Sequence, residues 1–344
     1  NLYAIRGTAY RNVMDWARSL DKMRALKPEV LIPSHTGPVV GQAEVYSMLT
    51  NYRDAIQFLH DQTLRFMNKG YRPDEIKELV SMPEHMKEHP WLGEFYGSYK
   101  HSIPAICVGY LGWYQGDPVD LDPTPWVEKA RRYVEMMGGR GAVITKSREA
   151  LENGDAQWAA ELATWLVRLD LSDTEARALK SDAIRSWAYK QKNATWRNWG
   201  LTTALELDGE LDQAGGGMVL GSPDQVKGFP LNAIMTVMTV RLKAEEAWDT
   251  HVRVAFETTD SSEACALEVR RGVCQFYEDP PAERDATVKF NRPFVLQWIF
   301  GKTTFEDALE SGDISIEGNA ATVSTLLSKF EPFNEANNIS IAAR

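Results

Sequence analysis

The chain has 344 residues, enough for two or three domains at about 100 to 200 residues each, and its 44% apolar and 25% charged content excludes a disordered or wholly coiled-coil chain. Acidic side chains outnumber basic ones by 48 to 38, and a net charge of −10 with no basic patch excludes nucleic acid as the expected partner. No run of about 18 apolar residues occurs, so no transmembrane segment is expected.

The chain opens Asn1-Leu-Tyr-Ala-Ile-Arg6-Gly7, which reads as a strand already under way, so a preceding segment is expected. An amphipathic helix over Tyr10 to Leu26 and a buried strand over 28–33 follow. This β-α-β rhythm belongs to a layered α/β domain, yet residues 1–44 are too few to close one and read as its end. From Gln42 to Leu207 the pattern is helical, with apolar residues at i, i+3 and i+4 over Val45 to Phe66 and Trp126 to Met137, and breaks at 81–97 and 116–125. Ala150, Gly154, Ala159 and Leu166 fall where a tetratricopeptide hairpin keeps its small and packing residues, so 45–207 reads as a helical bundle containing one such hairpin.

Residues 208–228 include Gly215-Gly216-Gly217, a run that holds neither helix nor packed strand, and read as a linker. Beyond it, 229–344 begin with a helix over Pro230 to Lys243. Strands are expected at His251 to Phe256, Ala264 to Val269, Val273 to Phe276 and Thr287 to Phe290. Helices at Arg292 to Phe300 and Ala320 to Phe330 flank a last strand over Gly312 to Gly318, which together predict an α+β domain with an antiparallel sheet. Cys265 and Cys274 lie where a hairpin can oppose them, and Cys107 stands apart; this leaves the redox compartment open.

Few side chains carry chemistry. His35, in Ser34-His35-Thr36-Gly37-Pro38 just past a strand, reads either as a metal ligand or as a turn cap, and one imidazole does not hold a metal alone. Arg6 beside Gly7 is either an anion clamp with two parallel donors or a surface ion-pair member. His85 and His89 are four apart, but prolines and charges around them favour a solvated segment. His101 sits among glycines and aromatics, Phe95-Tyr96-Gly97 and Gly109 to Gly116, a composition that serves packing or a binding pocket. Asn193-Ala194-Thr195 is a sequon within a helical run and is discounted as a glycan acceptor.

Taken together, Asn1 to Gly7 with Ile32 to Pro38, Tyr96-Gly97 with His101 and Tyr110 to Pro118, and Asn193 to Asn198 resemble the alkyl sulfatases of the metallo-β-lactamase superfamily. The stretch Gly312 to Asn319 looks like the sterol-carrier-protein fold that this family appends. The resemblance implies a dinuclear zinc hydrolase that converts alkyl sulfate esters to alcohol and inorganic sulfate, and a homodimer through residues 45–205. It implies a fold in three parts: the end of an α/β metallo-β-lactamase-type domain, an all-α dimerisation bundle, and an α+β sterol-carrier-like domain. Of the zinc ligands only the final His has a counterpart, His35; the His-x-His-x-Asp-His motif would lie upstream or on a separate chain, so this chain alone is expected to be inactive.

Arg6 and His101 match sulfate-binding positions, and Arg11 stands where some members carry a general-acid His, which would make it a second anion-binding cation. Ser102 departs from the family's usual Asn after the His. A periplasmic or secreted location is the one the resemblance favours. The alternative is a non-catalytic module that dimerises and binds aliphatic chains among Trp248, Phe256, Phe276, Phe294, Trp298 and Phe300, although aromatics at such spacings usually form core.

Overall fold

Helical periodicity over the first 211 residues and strand alternation after them produce two units in the computed structural model, divided between Leu211 and Asp212. The structure describes residues 2–5, 9–211 and 226–332; Arg6 and the three consecutive glycines of the expected linker lie outside them.

The first unit is helical. Helix α1 (Val13–Ala25) starts at Asn12, whose side chain accepts from the Asp15 N–H, and buries Val13, Ala17 and Leu20 against α2 (Gln42–Met67). Between them β1 (Val30–Leu31) pairs antiparallel with β2 (Val39–Val40), with Val30 opposite Val40. This corrects the expected β-α-β layer: residues 2–5 form no strand and join neither sheet, and the second strand is an exposed hairpin arm rather than a buried one. Helices α3 (Pro73–Leu79), α4 (Glu84–Lys87) and α5 (Tyr99–Leu111) follow, and Ile76, Ile103 and Ile106 join the α1–α2 core.

After a 3-10 turn at Pro118–Asp120, α6 (Trp126–Met136), α7 (Arg140–Glu152), α8 (Ala156–Leu169), α9 (Thr174–Tyr189) and α10 (Ala194–Asp208) stack in sequence. They enclose a second core of Val134, Val143, Ile144, Leu162, Leu166, Leu179 and Leu207. Asp155, Asp173 and Asn193 cap the starts of α8, α9 and α10, each contributing about 1 kcal/mol by satisfying an orphan N–H. The helix–turn–helix expected around Gly154 and Ala159 is present as α7 and α8.

In the second unit α11 (Leu231–Thr236) runs into a 3-10 turn and precedes a five-stranded sheet ordered β5-β4-β3-β6-β7. Its strands are β3 (His251–Thr258), β4 (Ala264–Arg270), β5 (Val273–Tyr277), β6 (Ala286–Phe290) and β7 (Ile314–Gly318). The sheet is mixed, not antiparallel. β6 follows an eight-residue connection and lies parallel to β3 with Phe256 opposite Val288, so it adds to the free side of β3 instead of extending the meander at β5. Helices α12 (Arg292–Ile299), α13 (Phe305–Ser311) and α14 (Ala320–Ser328) accompany it, and α13 is an element the sequence pattern did not announce.

Val254, Phe256, Leu267 and Val288 are buried in one core with Phe294, while Trp298 stacks on Phe294 at 6.2 Å and Phe305 meets both edge-on. Phe256 and Phe294 thus serve as core, and Trp248 is exposed. Cys274 lies opposite Val269 in the register, and all three cysteines are free and buried, so the hairpin disulfide is not formed. No helix among the described residues is long and apolar enough to cross a membrane.

Candidate functional site

His101 is fixed by three parts of the first unit. Ser98 caps α5 and sets the imidazole one turn in, and the Trp196 indole from α10 donates to its Nδ1 at 2.8 Å. Trp196 is placed in turn by a clamp at the start of α10. The Ala194 N–H donates to the Phe95 carbonyl at 2.7 Å, and the side chains of Asn193 and Thr195 both donate to the Tyr96 carbonyl at 3.0 Å. The Asn-Ala-Thr run therefore binds the loop that leads into α5, the helix that carries His101.

Indole N–H only donates, so Nδ1 must keep a lone pair and the neutral ring carries its proton on Nε2. Burial lowers the His101 pKa from its ordinary value, and the Glu94 carboxylate and the Tyr3 backbone only partly oppose it. His101 is then a neutral hydrogen-bond donor at pH 7. With the proton on Nε2 the Ser98 N–H, 3.4 Å away, faces it as a second donor and does not bond to it, while the Tyr3 backbone accepts from the ring.

The segment leading into α1 lies along α5. Tyr3 meets His101 edge-on at 6.3 Å between ring centroids, and the Tyr10 ring covers Gly109, where a Cβ would stand 2.1 Å from it. Only glycine admits that approach. Arg11, next to Tyr10, is exposed immediately before the Asn12 cap. His35 is exposed between β1 and β2, with no hydrogen bond or ion pair to any described residue. The structure thus brings the entry segment to His101 but leaves His35 on a separate hairpin, and Arg6 lies outside the described residues.

His85 falls in α4, a single turn, and His89 beyond its end accepts from the Trp91 N–H at 3.4 Å. No three His, Cys, Asp or Glu converge on a metal-sized site among the described residues. A zinc ion would need ligands beyond them, and His35 offers one exposed imidazole.

Three clusters escaped the sequence reading. Buried His60 accepts a hydrogen bond from Tyr110 at 2.7 Å and donates to Asp61 at 2.8 Å, since an ionised carboxylate only accepts. Arg168 lies over the rings of Trp126 at 4.3 Å and Trp165 at 4.9 Å. In the second unit Glu268, 2% exposed, accepts from Tyr277 at 2.6 Å and pairs with His251, Arg253 and Arg270 at 3.0 to 3.1 Å. Burial alone would raise its carboxyl, but the hydrogen bonds from Tyr277, His251 and Arg253 override it and lower the pKa to about 2. A Glu inside the otherwise apolar run Ala264 to Val269 was the available signal for the last cluster. The first two each depend on a distant partner, Tyr110 for His60 and Trp126 for Arg168, beyond any local pattern.

The alkyl sulfatase dimerisation family matches residues 72–210, and the alkyl sulfatase C-terminal family matches residues 219–340. A linear primary-alkylsulfatase of Pseudomonas sp. (strain ATCC 19151) is 39% identical over 342 residues, covering 96% of this chain and 64% of that protein. An (R)-specific secondary-alkylsulfatase of Pseudomonas sp is 31% identical, covering 98% and 51% respectively. The solved structure of the stereoselective inverting sec-alkylsulfatase Pisa1 from Pseudomonas sp. superposes with a TM-score of 0.86 at 30% identity, covering 97% of this chain and 53% of that one.

A helical unit that matches the dimerisation family, followed by a mixed-sheet unit that matches the C-terminal family, defines a segment of the alkyl sulfatase class. The chain belongs to the alkyl sulfatases, of which it carries the dimerisation and C-terminal domains. It spans between 51% and 64% of the length of the curated relatives it matches.

Proposed function

We propose that this chain is the carboxyl-terminal part of an alkyl sulfatase that hydrolyses alkyl sulfate esters to alcohol and inorganic sulfate, working as a homodimer. The carrying observation is agreement with alkylsulfatases over 96% or more of the chain. In this reading residues 1–44 end a metallo-β-lactamase-type domain whose remaining zinc ligands lie upstream or on a separate chain, and His35 supplies the last ligand.

Zinc, when bound, would supply Lewis acidity toward the sulfate ester and its attacking water. The chain's own residues bind and orient the ester. His101, neutral and anchored through Nδ1 by Trp196, donates from Nε2 to a sulfate oxygen. Arg6 and Arg11 add positive charge from the entry segment; neither releases a proton near neutral pH, so they hold the anion rather than protonate a leaving group. The sheet unit serves as the sterol-carrier-like appendage of the complete enzyme.

The test is sulfate release from dodecyl sulfate and a secondary octyl sulfate, with zinc supplied. It is measured on this chain alone and on the chain joined to a segment bearing His-x-His-x-Asp-His. Release only from the joined form is expected, with loss on His35→Ala; no release from either substrate by either form overturns the reading.

A further inference from the structure

The donor that holds His101 Nδ1 is a side chain that turns about χ1 and χ2. The Asn193 cap accepts from the Trp196 N–H at 3.0 Å and so fixes its backbone, but not the plane of its ring. An N–H bonds well only when it points within about 30° of its acceptor. The 2.8 Å bond to Nδ1 therefore needs the indole plane held by something else.

Trp187, in the last turn of α9, supplies that hold. Its ring lies at 22° to the Trp196 ring with 5.8 Å between centroids, an offset stack in the favoured range. Trp196 in turn meets the imidazole at 5.8 Å and 46°, so the three rings run on without a break. Gly200, one turn after Trp196 on α10, makes room for the stack. A Cβ there would stand 2.8 Å from the Ala188 Cβ and 3.3 Å from the edge of the Trp187 ring. Glycine inside a helix costs about 1 kcal/mol against alanine, and here it is the close approach of α9 that requires it.

The turn between the two helices keeps both tryptophans in register. Arg197 donates through Nε and Nη2 to the Gln191 carbonyl at 3.1 and 2.6 Å, and the Gln191 side chain donates to the Trp187 carbonyl at 3.0 Å. Trp187 also borders an open groove of about 280 Å³ with Thr164, Ile184 and Trp199, which gives its ring space to turn into once the stack is lost.

Granted the reading of His101 as the donor to the sulfate, we propose that Trp187 is a positioning residue for the reaction: stacked on Trp196 and seated against Gly200, it keeps the indole N–H on His101 Nδ1 and the imidazole proton on Nε2. It acts through Trp196 and not on the ester. Without it the indole turns away, Nδ1 is free to take the proton, and the ring no longer has one defined donor edge.

NMR of the full chain, with nitrogen labelled in its histidines and tryptophans, tests this. The unmodified chain should show scalar coupling across the Trp196–His101 hydrogen bond and a ring protonated on Nε2. Trp187→Leu should abolish the coupling and mix the two tautomers, while Trp187→Phe, which keeps a ring to stack, should retain both signals. A role in packing alone would lower thermal stability without moving either. Gly200→Ala crowds the same ring and gives the same readout should Trp187→Leu fail to fold. In the form joined to the zinc-binding segment, sulfate release by Trp187→Leu should fall about tenfold or more, with Trp187→Phe near the unmodified rate. Unchanged coupling and tautomer in Trp187→Leu, or in Gly200→Ala in its place, overturn the positioning role. An unmodified joined form that releases no sulfate removes the sulfatase reading and the catalytic use of His101 with it, so the two failures are told apart.

Discussion

The two units differ in where their polar and apolar groups find partners. In the sheet unit the buried carboxylate of Glu268 is met by Tyr277, His251, Arg253 and Arg270, and Phe294, Trp298 and Phe305 close on one another. In the helical unit His35 is exposed without a partner among the described residues, Arg168 lacks a counter-ion, and Trp113, Val119 and Met136 face outward. A unit that satisfies its groups internally folds around its own needs; one that leaves cations, imidazoles and aromatic rings facing outward is shaped for contact with something else.

The hardest blow to this contrast falls on Glu268. Glu268→Ala strands two arginines beside a buried gap and should cost about 3 to 5 kcal/mol, read as faster amide exchange in β3 and β4 with α7 to α10 unchanged. Equal loss of protection in both units would erase the distinction.

Acid makes the same point more gently. The folded carboxyl titrates at about 2 against about 4.3 when unfolded, so its contribution is complete above the unfolded value and is lost as pH falls through the folded one. Circular dichroism melts between pH 5 and 2 should show the sheet unit losing about 3 kcal/mol, a loss that the Glu268→Gln variant no longer displays.

In the helical unit Trp196→Phe removes the donor that requires a lone pair on His101 Nδ1, and should raise the His101 pKa while costing about 1 kcal/mol. Because burial holds that pKa below its unfolded value, the unfolded chain binds more protons, and the stability due to His101 rises with pH up to about 6.5. NMR titration of the ring in both proteins checks the direction; a fall in the variant would mean that Trp196 does not favour the neutral form.

The smallest effect is expected at His35. With no bond to the described residues, His35→Ala should shift stability by less than about 0.5 kcal/mol in urea unfolding. A loss above 1 kcal/mol would make it the turn cap, and the exposed imidazole would cease to count as an outward-facing ligand.

Local physics was legible where local physics decides. The 3.6-residue period placed α2 and α6, and the alternation of Val252, Val254 and Phe256 placed β3. What the sequence withheld depends on distant partners. Nothing in Ala286 to Phe290 says which edge of the meander it will join, because both neighbours offer the same unpaired backbone; packing around α12 to α14 selects the parallel side of β3. His101 stood out by its aromatic surroundings, yet its tautomer is set by Trp196, 95 residues later. The strand expected at residues 2–5 shows the converse: a strand-like run forms a strand only where a neighbour accepts its hydrogen bonds.

The unformed disulfide has a practical side. Burial pushes the thiols of Cys107 up to about 11 and those of Cys265 and Cys274 up to about 12, so at neutral pH fewer than about one in a thousand is a thiolate. Maleimides and iodoacetamide should leave the native protein unmarked. A single cysteine introduced at Met136 or Asp122 would then take a spin label or fluorophore alone, and the distance between labels on two chains could be read without first removing any natural residue.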